Sequence, residues 1–439
     1  MTSRRASFDT LVVGAGPAGI AAACCAAESG ARVGVLDNNP RAGGQIWRGH
    51  ERSDASPDAR RWFGKFTAAK IDFLPSTEVI DQLENGRLIV QSIDASSIDE
   101  VRELTYKNLI LSTGARELFL PFPGWTLPNV MGAGGLQALV KCGLPIGGKK
   151  VIVAGSGPLL LAVAAHLREH GADVRLIAEQ APWHRVARFG MSLAFEKTKL
   201  AQAFAIRRQL SGVPYKTSCW PLRANGEEKL ESVTLRTGDR TWQEPCDYLA
   251  CGFHLVPNTE LPALLRCDLR AGFVRVDQSQ RTSIPNIFAA GELTSIGGVD
   301  LSILEGQIAG YGASGQSARA AQLAPQKRRL DRFAALLRET FSLRDELRSL
   351  ADAETVVCRC EDVTVSRIRH HLSWRASKLH TRCGMGPCQG RICGPATEFL
   401  LGWKLDSIRP PIFAASLQSL AVAAAARTEE DLMLNEESR

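Results

Sequence analysis

No run of about eighteen apolar residues occurs in the 439-residue chain, so no segment reads as a membrane-spanning helix. Arg4-Arg5 is followed by a short apolar strand, not by a signal-peptide core with a cleavage site, and the expected location is the cytoplasm. The net charge is +7, yet no long basic stripe with interleaved aromatics is present, which argues against a nucleic-acid footprint. Aromatics are sparse at 6%, while apolar residues make up 45% and charged residues 23%, the balance of an ordinary water-soluble fold. No C-x-x-C pair lies in the first 350 residues, and Cys24-Cys25 are adjacent on one expected helix, so a redox disulfide is not expected there. At this length two to four domains are expected.

The stretch Leu11 to Asp37 is what organises the rest. An apolar strand, Leu11-Val12-Val13, runs into Gly14-Ala15-Gly16-Pro17-Ala18-Gly19, then an alanine-rich helix, then Arg32 to Leu36 ending on Asp37. This is a β–turn–α–β unit with a G-x-G-x-x-G fingerprint. Gly14 permits the tight turn, Gly16 lets backbone approach a pyrophosphate, and Gly19 lets the helix pack close to the sheet. The helix N-terminus offers N–H groups to phosphate. Asp37 is placed to accept from a ribose. The loop Gly43-Gly44-Gln45 leaves the second strand where an extended dinucleotide would continue, and Glu78-Val79 is a candidate edge for adenine.

Leu109 to Leu111 breaks into Ser112-Thr113-Gly114-Ala115, a strand end at which glycine permits close approach to a cofactor. A second βαβ unit follows: Lys149 to Ala154, the turn Gly155-Ser156-Gly157-Pro158-Leu159-Leu160, a helix to His170, and a strand leading to Glu179. Leu160 stands where the third glycine belongs, so this unit has the nucleotide-binding shape with a damaged site; a structural or vestigial domain is the favoured reading over NAD(P) binding. No basic cluster beside Glu179 argues for a 2′-phosphate. Later, Ile287 to Ala290 ends in Gly291-Glu292, and Gly297-Gly298 precede a helix over about 300–312, whose N-terminus is placed to stabilise negative charge. Residues 325–350 read as a charged, solvated pair of linking helices.

Seven of the twelve cysteines are scattered; five crowd between 358 and 393. Cys358 and Cys360 form a C-x-C pair, and Cys383 and Cys388 a C-x4-C pair. Four thiolates in two pairs suit a four-cysteine metal site, with zinc and free thiols as alternatives to an iron–sulfur cluster. Cys393 is a fifth thiol, either an ordinary buried group or a replacement for one of the four. The histidines, among them His166, His170, His370 and His371, read as surface or packing groups, and no catalytic residue is assigned.

The N-terminal fingerprint, the inserted second unit and the late Gly-acid strand together resemble the glutathione-reductase-like FAD fold over roughly residues 8–320. That resemblance implies α/β architecture with two dinucleotide-binding domains, and FAD held by Gly14, Gly16, Pro17, Ala18, Gly19, Asp37, Gly44, Gln45, Val79, Thr113, Gly114, Gly291 and Glu292. Glu292 stands where that fold has Asp contacting the ribityl chain. The cysteine pattern resembles the bacterioferritin-associated-ferredoxin-like [2Fe–2S] domain, implying Cys358, Cys360, Cys383 and Cys388 as ligands in a small C-terminal helical module. The expected domains are 1–120 and 257–325 for FAD, 121–256 for the inserted unit, 326–352 for linker helices, 353–405 for the cluster and 406–439 for a tail. As a whole the chain resembles the α subunit of heteromeric, dye-linked amino-acid and opine dehydrogenases, a family that takes in opine oxidase, D-hydroxyproline and L-proline dehydrogenases and hydrogen cyanide synthase. The match rests on Gly43 to Arg48, Gly124 to Val130, Ala154 to Leu161 and Cys383 to Cys393. The resemblance implies a β subunit of D-amino-acid-oxidase type carrying the substrate site, an additional FMN at the subunit interface, and a quinone or other electron acceptor. The alternative is a self-contained NAD(P)H-dependent flavin reductase feeding the cluster.

Overall fold

The computed structural model describes residues 4–49, 56–84, 86–94, 100–193, 197–405 and 408–437; the expected domain limits at 1, 406 and 439 fall outside them. The chain forms two compact units. One comprises Met1–Arg116, Pro257–Ala334 and Ser407–Arg439; the other comprises Glu117–Val256 and Ala335–Asp406.

The first unit is built on a seven-stranded sheet in the order Ile71–Leu74, Val33–Leu36, Arg4–Val13, Val101–Leu111, Arg87–Ser92, Thr77–Leu83, with Ile287–Ala289 also beside Val101–Leu111. Val12 lies opposite Val35 and Ile110 in parallel register, and Phe288 lies opposite Ile110. Alternation assigns the two faces. Leu11, Val13, Leu36, Leu109 and Leu111 pack on one side; Val12, Val35, Ile110 and Phe288 pack against Ala18 and Ala22 on the other. The parallel strands therefore end together, and Gly14, Asp37, Ser112 and Gly291 follow from neighbouring strand ends, the place where open α/β sheets hold ligands.

The helix Pro17–Ala27 is buried along nearly its whole length, with proline in its first turn. It packs against Val299–Ala313 through small residues. A Cβ on Gly306 would lie 2.1 Å from Ala18 O, and one on Gly310 would lie 2.3 Å from Ala22 O. Glycine is what permits this approach. The segment after residue 407, read from sequence only as a tail, returns to this unit. Its helix Leu417–Glu437 sets Ala423 and Ala426 against Ile80, Leu83 and Ile89, and Arg427 makes two hydrogen bonds, 2.6 and 3.1 Å, to the buried Asp81 carboxylate.

The second unit has a parallel sheet in the order Tyr215–Lys216, Asp173–Glu179, Lys150–Gly155, Tyr248–Gly252, Val130–Gly132. A three-stranded antiparallel sheet, Cys219–Asn225, Ser232–Thr237 and Arg240–Pro245, completes its larger part. The cysteine-bearing module is the hairpin Val356–Cys358 and Val363–Thr364 with the helices Trp374–Thr381 and Cys393–Leu401. It is anchored on the same unit by the Trp125 indole N–H, which donates to Val356 O at 2.6 Å. The expected pair of linking helices is instead one helix, Ala324–Thr340, then a non-helical stretch and a short 3-10 turn, Asp345–Ser349. The helix stops because Phe341 and Ser342 give their carbonyls to groups elsewhere in the unit.

Candidate functional site

The fingerprint turn is shaped by steric exclusion. Gly14 has φ +104°, and a Cβ there would sit 2.3 Å from Ser112 O; a Cβ on Gly19 would sit 1.8 Å from Gly14 O. Gly16 is different: its nearest neighbour is Gly44 Cα at 4.0 Å, so its outward side is open. Gly16 caps the helix that starts at Pro17 without any side-chain hydrogen bond, leaving the first-turn N–H groups to a ligand. Gly43 N–H donates to Ala15 O at 2.7 Å, which folds the Gly43-Gly44-Gln45 loop against the turn and leaves Gln45 exposed. Asp37 is buried and accepts from Ala15 N–H at 2.6 Å and Asn39 N–H at 2.7 Å, which holds its carboxylate at the turn.

The late Gly-acid turn closes on this cradle. Gly291, at φ +81°, has Ala18 Cβ 2.9 Å and Ser302 Oγ 3.6 Å from its own Cβ position. The turn is held by Glu305, a buried carboxylate that sequence reading did not single out. Glu305 accepts from Gly291 N–H at 2.9 Å and from Thr294 O–H at 2.7 Å, and pairs with Lys327 at 3.4 Å. Burial pushes the Glu305 carboxyl upward, and Lys327 opposes that. Burial alone pushes the Glu292 carboxyl up to about 7. Such a group is suited to hydrogen-bond a polar ligand.

Thr113 and Gly114 are positioned by Asn258, also missed from sequence beyond its place after Pro257. Asn258 Nδ2 donates to Thr113 O at 2.7 Å, its backbone N–H donates to Gly114 O at 3.0 Å, and Thr113 O–H donates back to Asn258 O at 2.8 Å. Gly114 has φ +65° and open space on its Cβ side. Val79 is a core side chain paired with Val90. Thus the first unit brings Gly14, Gly16, Pro17, Ala18, Gly19, Asp37, Gly44 and Gly291 to one place. The open backbone approach at Gly16 and the half-buried carboxyl of Glu292 beside Gly291 are compatible with a flavin dinucleotide.

In the second unit the sulfurs of Cys358, Cys383 and Cys393 lie within 4.8 Å of one another, all buried, and Cys360 Sγ lies 3.9 Å from Cys388 Sγ. Cys393, set apart in the sequence, thus joins the group. Trp374 supports the loop: Cβ atoms on Gly384 and Gly390 would meet its ring at 2.5 and 3.0 Å, and one on Gly386 would meet Cys360 Cβ at 2.2 Å. Gly384 N–H donates to Cys358 Sγ at 3.4 Å. Thiol donors from Cys383 and Cys393 hold Cys358 far below the usual thiol range, at about 2, so a thiolate is favoured there. A donor set of thiolates only suits zinc or an iron–sulfur cluster rather than a hard cation. All twelve cysteines are free thiols, and burial raises Cys24 and Cys25 to about 12 and 11, which makes them inert.

A family model described as pyridine nucleotide-disulphide oxidoreductase matches residues 8–322. Among curated proteins, the A subunit of opine oxidase from Rhizobium meliloti is 31% identical, over 89% of this chain and 81% of that one. Hydrogen cyanide synthase subunit HcnB of Pseudomonas aeruginosa is 31% identical, over 87% of this chain and 90% of that one. Among solved structures, L-proline dehydrogenase from P. horikoshii superposes with a TM-score of 0.67 at 19% identity, covering 96% of this chain and 80% of that one. T. acidophilum thioredoxin reductase superposes with a TM-score of 0.54 at 20% identity, covering 71% of this chain and 99% of that one. At these identities the structural likeness shows the two-domain fold. No helix among the described residues is long and apolar enough to cross a membrane.

Proposed function

We propose that this chain, which belongs to the pyridine nucleotide-disulphide oxidoreductase family and within it to the group of hydrogen cyanide synthase subunit HcnB and the opine oxidase A subunit, is the electron-transferring subunit of a heteromeric dehydrogenase acting on a secondary amine or amino acid. The observation that carries this reading is the pairing, in one chain, of an open dinucleotide cradle closed by Gly291 against Ala18 with a five-thiol nest. FAD supplies, when bound, acceptance of an electron pair and its release one electron at a time. The chain's residues do the holding. The N–H groups after Gly16 would hold the pyrophosphate, Asp37 the ribose and Glu292 the ribityl chain, and the N-terminus of Val299–Ala313 would stabilise negative charge on the reduced ring.

Four of the five thiols would hold a [2Fe–2S] cluster. We take Cys358, Cys360 and Cys388 as three of them. Cys393 opens the helix Cys393–Leu401, where N–H groups and the helix dipole favour a thiolate. On that ground we take Cys393 rather than Cys383 as the fourth, although both sulfurs lie within 4.8 Å of Cys358.

We assign no substrate base among the described residues. The described residues of the first unit include no histidine. In the second unit the His166 and His170 rings lie 4.3 Å apart, tilted, with a His170 ring nitrogen at the His166 carbonyl, and His371 and His380 stack at 5.2 Å. We assign substrate oxidation to a partner, a β subunit of D-amino-acid-oxidase type, in keeping with the subunit names of the relatives. An FMN at the shared interface and a quinone or similar acceptor complete the proposed relay. The test is anaerobic absorbance of the purified flavoprotein. Expected is no bleaching with NADH or NADPH, and bleaching when an amine donor is added together with the partner subunit. Rapid bleaching by either nicotinamide nucleotide alone would overturn the subunit reading.

A further inference from the structure

The second glycine-rich turn is covered by the chain itself. Ser156 O–H donates to Phe341 O at 2.8 Å. Gln180, fully buried just past the strand Asp173–Glu179, donates through Nε2 to Ser156 Oγ at 2.8 Å and to Ser342 O at 3.2 Å, and its Oε1 accepts from Arg344 N–H at 3.2 Å. The Phe341 ring lies 3.7 Å from the Cβ position of Gly157 and packs edge-on against Phe189 at 5.3 Å between centroids. In an active dinucleotide fold that turn and the following helix N-terminus are where a pyrophosphate lies.

Two further facts close the place. Glu179, fully buried, accepts from Gly157 N–H at 2.7 Å and Ala181 N–H at 2.8 Å, so an N–H that would face phosphate is already used. The nearby cations come from the helix Trp183–Ser192, where the strand end alone gave no sign of them, and are drawn to the same segment. Arg185 donates to Ser342 Oγ at 2.8 Å, and Arg188 is ion-paired with Glu339. These residues, with His184, line a cavity of about 510 Å³. The first cradle offers the contrast, since only Gly44 approaches Gly16.

We infer that the segment Glu339–Arg344 is an internal occupant of the second dinucleotide cradle, which excludes NAD(P)H from it and makes that cradle the socket through which the cysteine module is tied to its unit. An internal occupant acts as a competitor. The apparent affinity for a nucleotide is reduced by the fraction of molecules in which the segment has left. This inference concerns nucleotide binding alone and does not rest on the proposed substrate, partner or cluster.

The experiment is equilibrium dialysis of the FAD-loaded chain against NADH and against NADPH. Wild type is expected to show no saturable binding. The variant Phe341→Ala/Ser342→Gly, which removes the ring and loosens the backbone, is expected to show saturable binding, the image of an open fraction larger by at least about tenfold. Saturable binding to wild type overturns the inference. So does a folded variant that gains nothing, because the obstruction would then lie in Leu160 or Glu179. If that variant does not fold, Gln180→Ala keeps the ring and removes the clamp; it is judged by the same gain. Hydrogen exchange of the wild-type protein gives an independent reading: slow exchange at the Arg344 amide is expected, and fast exchange there overturns the inference.

Discussion

Replacing Gly306 by Ala tests whether close approach of two helices sets the flavin cradle. Alanine in a helix interior is favoured over glycine by about 0.8–1 kcal/mol. Position 306 loses that gain, because the new Cβ would stand 2.1 Å from Ala18 O and 3.1 Å from Ala18 Cα, both backbone atoms of the buried fingerprint helix. Neither can turn aside, so the helix Val299–Ala313 must move outward. Overpacking of this kind costs about 1–3 kcal/mol, occasionally more, so the net expectation is destabilisation by about 0–2 kcal/mol relative to wild type. Gly64 is the internal control. It also lies inside a helix, Pro57–Ala68, and a Cβ there meets nothing within 4 Å. Gly64→Ala should stabilise by up to about 1 kcal/mol. The assay is urea unfolding followed by far-ultraviolet circular dichroism, with FAD retention on ultrafiltration as the second readout. Because Ala18 also meets the Gly291 turn, Gly306→Ala should retain less FAD while Gly64→Ala retains as much as wild type. Equal midpoints and equal FAD retention for the two variants would refute the packing argument.

Three further outcomes are expected. Cys358→Ser, Cys360→Ser, Cys388→Ser and Cys393→Ser should each lose the visible absorbance of the cluster while keeping FAD, whereas Cys383→Ser should keep both; loss of absorbance in Cys383→Ser with retention in Cys393→Ser would reverse the assignment. Because burial raises the Glu292 carboxyl from 4.5 to about 7, the folded flavin-free chain keeps a proton that the unfolded chain has released. Its stability is therefore greatest below about pH 4.5 as far as this group is concerned and falls as pH rises to about 7; Glu292→Gln should flatten that slope in urea titrations across this range. Asn258→Ala removes the donor to Thr113 O and the acceptor for Arg116, and should cost about 1–2 kcal/mol with weakened FAD retention, measured against an Asn258→Asp variant that keeps the acceptor.

What could be read from sequence was local. The strand–turn–helix around Gly14 to Gly19, the acid at Asp37 and the Gly291-Glu292 break are contiguous patterns whose chemistry depends on neighbours in the chain. Glu305 and Asn258 carried no such pattern. Glu305 sits mid-helix, and its meaning comes from Gly291, fourteen residues earlier, and Lys327, on another helix. Asn258 acts on Thr113 from 145 residues away. Spacing could not decide between Cys383 and Cys393, since Cys383–Cys388 and Cys388–Cys393 are both C-x4-C, and the folded loop brings both to Cys358. The helix Leu417–Glu437 gave a weak signal because the apolar residues it buries among those described are small, Ala423 and Ala426, and Arg427 anchors it on Asp81.

The two nucleotide units show why fold alone does not fix function. Both have the strand, the glycine turn, the buried helix and the acid at the end of the next strand. Their acids both turn back to the glycine turn: Asp37 takes Ala15 N–H, and Glu179, one methylene longer, reaches Gly157 N–H. The longer side chain thus uses the position that the shorter one leaves open at Gly16. Leu160 then has little to displace. It is fully buried, and it packs 3.3 Å from the Cβ position of Gly252, filling the space between helix and sheet that a third glycine would have closed by direct contact. A damaged fingerprint on its own predicts weak binding. A damaged fingerprint whose N–H is taken and whose surface carries Phe341 predicts a change of use, from holding a nucleotide to holding the chain that leads to the thiol nest.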